Sequence, residues 1–207
     1  MRKAIIKRKT NEVDINGEFV IDGNGDSVIK TPFEPLNHLL TVFAFHGYFD
    51  LKVEATGDLA HHIIEDIGIA LGKAFKEALG DKAGINRYGC FTMVMDKVAV
   101  EVALDISGRP SLRGISRSMA DMKNANALEN YGGTFDDTKF TAGHAEEFLE
   151  SFCQHAGISL LYFIKSSEGD LHHILEALFK ALGKALDQAT QIDVRRKGVP
   201  STKGIID

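Results

Sequence analysis

Apolar residues recur at helical spacing in four segments of the chain. In the two longest, about residues 60–79 and 171–189, they return every three or four positions, which predicts amphipathic helices with one buried face. A third helix is predicted after Pro32, ending at His46 and Gly47, and a fourth in TAGHAEEFLESFCQHAG. Glycine is a natural stop for such segments because it adopts the left-handed conformation at little cost.

Strand-like segments lie between these helices. In YFDLKVEAT, apolar residues from Phe49 to Ala55 alternate with polar ones, which predicts a half-buried strand. AIIKRKTNEVDINGEFVIDGNG predicts a hairpin or meander, CFTMVMDKVAVEVALDISG a strand pair, and SLLYFIKSS a further strand. The polar, glycine-interrupted stretch at about residues 114–138 is predicted to be the least ordered part.

The two halves of the chain share the order helix, strand, helix, each after a strand pair. This order predicts an internal duplication of a sheet-plus-helices unit, and so an α/β (α+β) fold in two layers, which buries both kinds of amphipathic face. We place the first repeat at residues 1–90, the second at 91–190, and a C-terminal tail at 191–207.

Composition narrows the class of protein. The 207 residues are 44% hydrophobic and 26% charged, as in an ordinary globular protein. A net charge of −5 does not favour general nucleic-acid binding. No apolar run reaches the roughly 18 residues of a membrane helix, and the N-terminus lacks the apolar core of a signal peptide, so we expect a cytoplasmic protein. Cys90 and Cys153 are expected to be reduced thiols.

Both of the longest helical segments begin with the motif HHxxE. The first copy has His61, His62 and Glu65, and the second has the same residues at the same spacing. Residues i and i+4 lie on one face of a helix, so the first histidine and the glutamate of each motif can meet one metal ion. The second histidine is rotated by about 100° and points elsewhere.

The duplication of the motif favours a paired metal centre. If the two helices approached antiparallel, the second histidine of each could complete the site of the other. Imidazole and carboxylate ligands suit manganese, iron, zinc or nickel. A single HH pair at a helix start is more often a hydrogen-bonded pair than a ligand set, but two copies at identical spacing favour the metal.

Short motifs along nearly the whole chain resemble those of imidazoleglycerol-phosphate dehydratase, a manganese-dependent family of histidine biosynthesis. Each motif is weak alone, and the resemblance depends on their order and spacing. They are RxTxE from Arg8, NHLL and FHGYFDLKV between Asn37 and Val53, HHIIEDIGIALG from His61, GINRYG from Gly84, MDKVAVEVALDISGRP from Met95, GTFD from Gly133, HHILEALFKALGKAL from His172, and VPSTKG from Val199.

The resemblance implies both a fold and a reaction. The fold would be two repeats of the ribosomal protein S5 domain 2-like kind, in a homo-oligomer, usually a 24-mer, with active sites between subunits. The reaction would be that of a lyase, which converts imidazole-glycerol phosphate to imidazole-acetol phosphate. Two Mn²⁺ ions per active site would hold the substrate's ring and stabilise an imidazolate. The partner would be this phosphorylated imidazole, not a nucleic acid or a membrane.

The resemblance also implies roles for individual residues. The positions matching metal ligands are His38, His61, His62, Glu65, His172, His173 and Glu176. By symmetry, we expect His61, Glu65 and His173 at one ion, and His172, Glu176, His62 and His38 at the other. Glu147 stands where the family has a further metal histidine, and either Glu147 or His144, one turn earlier, is the replacement.

A second group of positions matches residues that contact the substrate. Those implied to bind it, mostly at its phosphate, are Arg87, Arg109, Lys180, Ser201, Thr202 and Lys203, with His46 in a substrate-lining segment. Glu12 matches a glutamate at the substrate. Glu12, Glu65 and Glu176 are our candidates for moving the proton, and the sequence does not choose among them.

The chain departs from the family pattern near the site. The loop GDLAHHI is shorter than the family's GDLxxDxHHT and lacks its aspartate before the histidines, and EGDLHH replaces a GxNxHH-like run. Two alternatives therefore stay open: a metal-binding paralogue acting on another phosphorylated azole, and a non-catalytic oligomeric scaffold. A metal-storage or metal-sensing bundle is disfavoured by the predicted strands and by the phosphate-binding set.

Overall fold

Two four-stranded sheets enclose the helices of the chain in a computed structural model that describes residues 1–116, 127–136 and 138–206. The strands are β1 (Lys3–Lys9), β2 (Val13–Val20), β3 (Ser27–Lys30), β4 (Asp50–Gly57), β5 (Tyr88–Met95), β6 (Val98–Asp105), β7 (Ser111–Ser116) and β8 (Ser159–Ser167). The α-helices are α1 (Glu34–Gly47), α2 (Ala60–Leu79), α3 (Ala142–Ala156) and α4 (Leu171–Thr190). A short 3₁₀ helix covers Ala127–Asn130.

The two sheets have the same topology. The first has the strand order β1-β2-β4-β3 and the second β5-β6-β8-β7. In each, three strands are antiparallel, and the remaining edge strand, β3 or β7, runs parallel to its neighbour. The predicted α/β duplication is therefore confirmed. The second sheet begins at Tyr88, and the domain boundaries placed at residues 90 and 190 stay a prediction.

Alternation along the strands turns one face of each sheet towards the helices. In β6, Val98, Val100, Val102 and Leu104 are buried, while the residues between them are half-exposed. This period of two is the backbone geometry of a strand with one packed face. The buried face packs on α4, and the corresponding face of β1 and β2 packs on α2.

The helices are exchanged between the repeats. α2 of the first repeat packs on α3 of the second, and α4 of the second packs on α1 of the first. Both pairs cross at a glycine: a Cβ on Gly72 would lie 2.6 Å from the carbonyl oxygen of Phe152, and one on Gly183 would lie 2.5 Å from that of Phe43. The repeats therefore share one hydrophobic core instead of having one each.

Most elements agree with the sequence prediction. α2 has the predicted bounds, α4 extends one residue beyond them, and the N-terminal hairpin is present. The parallel edge strands β3 and β7 were not predicted, and the prediction of little order at 114–138 is wrong for residues 114–116, which end β7. The part of that stretch at 117–126 and 137 lies outside the described residues. Among the described helices, none is long and apolar enough to span a membrane.

Candidate metal centre

His38, His172 and Glu176 meet where α1 packs on α4. Nε2 of His38 lies 2.8 Å from Oε2 of Glu176, and Nε2 of His172 lies 3.0 Å from the same oxygen. One potential ligand atom from each of the three side chains lies within 4.8 Å of the others. We call this group the α1–α4 cluster. Its two imidazole nitrogens and one carboxylate converge as ligands of a single transition-metal ion do.

Glu176 is the buried member of this cluster. Its Oε1 lies 2.7 Å from Nζ of Lys180, one helical turn further along α4. Burial by itself would raise the pKa of Glu176. Hydrogen bonds from Lys180, His38 and His172 outweigh burial and lower that pKa to about 2. The carboxylate is therefore charged at neutral pH, as a metal ligand must be.

His172 is held in place from its other side. Its ring stacks on that of Phe135 with centroids 4.2 Å apart, and its Nδ1 lies 3.1 Å from both carboxylate oxygens of Asp136. With Nδ1–H donated to this carboxylate, Nε2 is the nitrogen that would give up its hydrogen bond to Glu176 and offer its lone pair to a metal ion. Asp136 therefore directs Nε2 of His172 towards Glu176.

The matching face on α2 and α3 carries Glu65 and Glu147. Both glutamates line one acidic cleft. Burial raises the pKa of Glu147, and the negative charge of Glu65 raises it further, whereas His61 and His62 oppose the change. Glu147 precedes the helix-crossing residue Phe152 by the same number of residues as His38 precedes Phe43. Glu147 thus occupies in the second repeat the position of His38 in the first. We call His61, Glu65 and Glu147 the α2–α3 face.

The side chain of His144 takes part in the N-terminal cap of α3. The backbone N–H of Thr141 donates to its Nδ1 over 3.1 Å, and the Thr141 hydroxyl accepts from the backbone N–H of His144, which together form a capping box. An imidazole whose Nδ1 accepts a hydrogen bond carries its proton on Nε2. Burial, and then the nearby His61, lower the pKa of His144. Of the two candidates His144 and Glu147, this geometry favours Glu147 as the ligand.

The second histidine of each motif faces a hairpin turn of its own repeat. Nδ1 of His62 lies 2.8 Å from Oδ1 of Asp58 and 3.9 Å from Oε2 of Glu12, in the β1–β2 turn. The hydrogen bond to Asp58, aided by the charge of Glu12, raises the pKa of His62. Within one chain, α2 packs on α3 and α4 packs on α1. The antiparallel approach of α2 to α4, on which the sharing of ligands was conditional, is therefore left to another chain, and the assignment of His62 to the other helix's ion stays a prediction.

His173 has an equivalent environment at the start of α4. Its Nδ1 lies 2.5 Å from Oδ1 of Asp170, and its Nε2 lies 3.4 Å from Oδ2 of Asp96, in the β5–β6 turn. The hydrogen bond to Asp170 raises the pKa of His173. Asp170 also caps α4 by accepting the backbone N–H of His173.

Arg87, implied to bind phosphate, holds the C-terminal tail. Its guanidinium donates to both oxygens of Asp105, over 2.6 and 2.9 Å, and to the carbonyl of Pro200 over 3.0 Å. Ser201 follows directly and forms a turn in which its hydroxyl accepts the backbone N–H of Lys203. Arg87 therefore holds the tail residues Ser201, Thr202 and Lys203 close to the start of β5.

The other implied substrate residues are dispersed. Arg109 is exposed at the turn after β6. His46 lies at the end of α1, where burial, and then the charges of Lys180 and Lys184, lower its pKa. Lys180 links the α1–α4 cluster to the end of α1, because it contacts Glu176 and its charge acts on His46.

Three aspartates in the site were missed in the sequence interpretation: Asp58, Asp136 and Asp170. Two of them had a signal. Asp58 and Asp170 are three or four residues before a histidine at a helix start, a spacing that allows contact. Asp136 ends the motif GTFD, but its position in the sequence does not indicate its partner, because it contacts His172 from 36 residues away.

Known proteins resemble the chain in sequence and in structure. The sequence model of the imidazoleglycerol-phosphate dehydratase family matches residues 31–186. Proteins of that name from Thermoanaerobacter sp. and Bacillus subtilis are each 46% identical to the chain, with 100% of both sequences covered. The crystal structure of the Staphylococcus aureus enzyme has a TM-score of 0.76 at 31% identity, covering 92% of this chain and 99% of that one. The Pyrococcus furiosus structure has the same TM-score at 35% identity, covering 96% and 99%.

The duplicated fold and these relatives define the chain as a hydro-lyase, an enzyme that removes water from its substrate. It belongs to the imidazoleglycerol-phosphate dehydratase family and is a dehydratase of histidine biosynthesis. The resemblance identified from the sequence motifs is thereby confirmed.

Proposed function

We propose that the chain converts imidazole-glycerol phosphate to imidazole-acetol phosphate with two manganese ions in each active site. The observation that carries this proposal is the α1–α4 cluster, in a chain that belongs to the dehydratase family. The names of the relatives support the substrate, and the grouping of His38, His172 and Glu176 supports the metal.

The residues fit manganese by their chemistry. The α1–α4 cluster offers two imidazoles and one carboxylate, and the α2–α3 face offers one imidazole and two carboxylates, with no thiolate in either set. Such ligands suit manganese or iron and do not favour copper(I) or an iron–sulfur cluster. Bound manganese would supply positive charge to an imidazole ring that has lost a proton.

Glu12 is the best-placed proton carrier among the three candidates. It is exposed in the β1–β2 turn, and its Oε2 lies 3.9 Å from Nδ1 of His62. Glu176, in contrast, is engaged by His38, His172 and Lys180. Glu65 lines the same cleft as Glu147. We therefore assign to Glu12 the transfer of the proton on the carbon next to the substrate's ring.

The phosphate of the substrate needs fixed positive charge. Arg109 and Lys203 are exposed, and Arg87 holds the tail that carries Lys203. An Arg fork or a Lys ammonium can then bind phosphate oxygens. We assign Arg109, Ser201, Thr202 and Lys203 to direct contact, and Arg87 to positioning of the tail as well as to the phosphate.

We propose that each active site lies between subunits of a homo-oligomer, a 24-mer as the family resemblance implies. The α1–α4 cluster and the α2–α3 face each offer three ligands, too few to fill the coordination sphere of manganese. His62 and His173 point out towards the hairpin turns instead of towards these groups. A neighbouring copy can then bring the α2 side of one chain to the α4 side of another. The cytoplasm is the expected location of such an enzyme.

The proposal is tested by metal content and turnover together. Chelator-treated protein, given manganese and imidazole-glycerol phosphate, should bind two ions per active site and form imidazole-acetol phosphate. His172→Ala should bind less manganese, while His144→Ala, which removes a cap and no proposed ligand, should keep the wild-type content. Absence of turnover by folded, manganese-loaded protein would exclude the proposed reaction. It would instead support the paralogue or the scaffold.

A further inference from the structure

In each of the two altered loops before the HHxxE motifs, an aspartate contacts a histidine. In the first, Asp58 lies just before α2, whose N-cap is Leu59, and its Oδ1 accepts from Nδ1 of His62. In the second, Asp170 is the N-cap of α4, and its Oδ1 accepts from Nδ1 of His173. The same contact therefore occurs once in each repeat, although one aspartate caps its helix and the other does not.

This repetition is not explained by capping. The Asp58 side chain makes no cap hydrogen bond to the α2 backbone, and it accepts only the adjacent N–H of Leu59 besides the His62 ring among the contacts of the described residues. A helix cap would be achieved equally well without contacting the imidazole. What the two aspartates share is the choice of ring nitrogen, because both engage Nδ1, whereas Nε2 of His173 faces the more distant Asp96 carboxylate at 3.4 Å.

We propose that Asp58 and Asp170 are positioning residues for the metal centre, which fix His62 and His173 as Nε2 ligands. A carboxylate on Nδ1–H sets the tautomer, orients the ring and increases the basicity of Nε2. Asp136 makes the corresponding contact with His172 in the α1–α4 cluster. The loop residue Asp58 supplies this carboxylate to His62, and the N-cap residue Asp170 supplies it to His173.

The inference rests on the proposed manganese centre, and its test is manganese affinity of the whole oligomer. Free Mn²⁺ is measured by electron paramagnetic resonance during titration of chelator-treated protein. Loss of an outer carboxylate typically weakens metal binding by roughly 10–100-fold, which is the decrease expected for Asp58→Ala. Asp58→Asn keeps an oxygen acceptor for Nδ1–H and should recover part of the affinity. Asp14→Ala, which removes a half-exposed aspartate that contacts Lys9 and Asn16 and no histidine, is the matched control.

Asp170 requires a variant that preserves the helix cap. Asn caps a helix about as well as Asp, so Asp170→Asn should retain the melting temperature while its manganese affinity decreases by several-fold or more. A merely structural role predicts the opposite pattern, a lower melting temperature of the chelator-treated protein with unchanged affinity. If Asp58→Ala does not fold, Asp58→Asn and Asp170→Asn provide the same comparison.

The outcomes separate this inference from the proposed function. If the wild-type protein binds manganese and turns over, but Asp58→Ala and Asp170→Asn bind it with wild-type affinity, the positioning role is refuted and the proposed function stands. If the wild-type protein binds no manganese, both are refuted. Weaker binding in these variants, with the Asp14→Ala control unchanged, supports the positioning role.

Discussion

Glu176 is the residue on which the α1–α4 cluster depends. One carboxylate oxygen faces two imidazoles and the other faces Lys180, so each oxygen has a partner of its own. The cation fixes Oε1 and leaves Oε2 directed at the place where His38 and His172 converge. If a metal ion binds there as proposed, Lys180 would favour its binding through one oxygen instead of two.

The low pKa of Glu176 predicts a pH-dependent contribution to stability in the metal-free protein. Its folded-state pKa of about 2 lies below the ordinary value of 4.5, so the contribution is complete above 4.5 and is lost as pH falls towards 2. At pH 6, Glu176→Gln should unfold more easily than the wild type by roughly 1.5–3 kcal/mol, the usual worth of a hydrogen bond to a charged group.

The measurement is the melting temperature of both proteins in chelator at a series of pH values. The difference between them should decrease as pH falls from 4.5 towards 2, because the wild-type carboxyl is then protonated and resembles an amide. A difference that stays constant over this range would show that the charge of Glu176 does not stabilise the fold.

At the scale of elements, the two glycine crossings set how closely the exchanged helices approach. A Cβ on Gly72 or Gly183 would lie well inside contact distance of a backbone oxygen, which cannot move as a flexible side chain can. The HHxxE helices carry these glycines about three turns after their histidines. The spacing of the helices at the crossing therefore determines the distance between the metal-ligand positions on facing helices.

Alanine at either crossing should destabilise the protein. Gly72→Ala and Gly183→Ala are each expected to lower the free energy of unfolding by roughly 1–3 kcal/mol, because an added methyl forces the helices apart. Gly143→Ala in α3 is the control, since its Cβ would meet nothing nearer than the Thr141 hydroxyl at 3.6 Å. Helix propensity predicts that this control gains up to about 1 kcal/mol.

Urea unfolding at one protein concentration measures the free energy of unfolding of all three variants. Equal stability of the Gly72→Ala and Gly143→Ala proteins would contradict a close helix crossing.

The sequence predicted elements with strong local patterns and missed those that depend on distant partners. The bounds of the 20-residue helix α2 were predicted correctly because the helical period of its apolar residues defines its buried face. β3 and β7 are short and pair only in parallel, so neighbouring residues do not reveal them. The residues of the site likewise include some that the sequence predicted and some that it missed. Helical spacing and family resemblance indicated Glu176 and its histidines, whereas the contact of Asp136 with His172 arises only from the tertiary fold.

At the scale of the whole molecule, the proposed metal ligands divide into two sides of the chain. The α1–α4 cluster and His173 belong to the α4 side, and the α2–α3 face and His62 belong to the α2 side. If one active site combines the α4 side of one chain with the α2 side of another, a chain damaged on one side can complement a chain damaged on the other.

Mixed oligomers of His62→Ala and His172→Ala chains test this division. Each variant alone should be nearly inactive, because every site lacks one ligand. With random assembly of equal amounts, about one quarter of the sites receive both intact sides, and activity should return to about that fraction of wild type. Turnover is measured after co-expression or after dissociation and reassembly. Mixed oligomers no more active than their parents would show that both sides of a site come from one chain.

The exchange of helices also has a consequence for the order in which the chain can fold during its synthesis. α1 is completed early, yet its packing partner α4 lies at residues 171–190. α2 must likewise wait for α3. Long sequence separation between contacting segments slows folding, because loop entropy is lost before the contacts compensate for it. The surfaces of α1 and α2 that pack on α4 and α3 are therefore exposed until most of the chain has left the ribosome, which is when a chaperone would have the most apolar surface to bind.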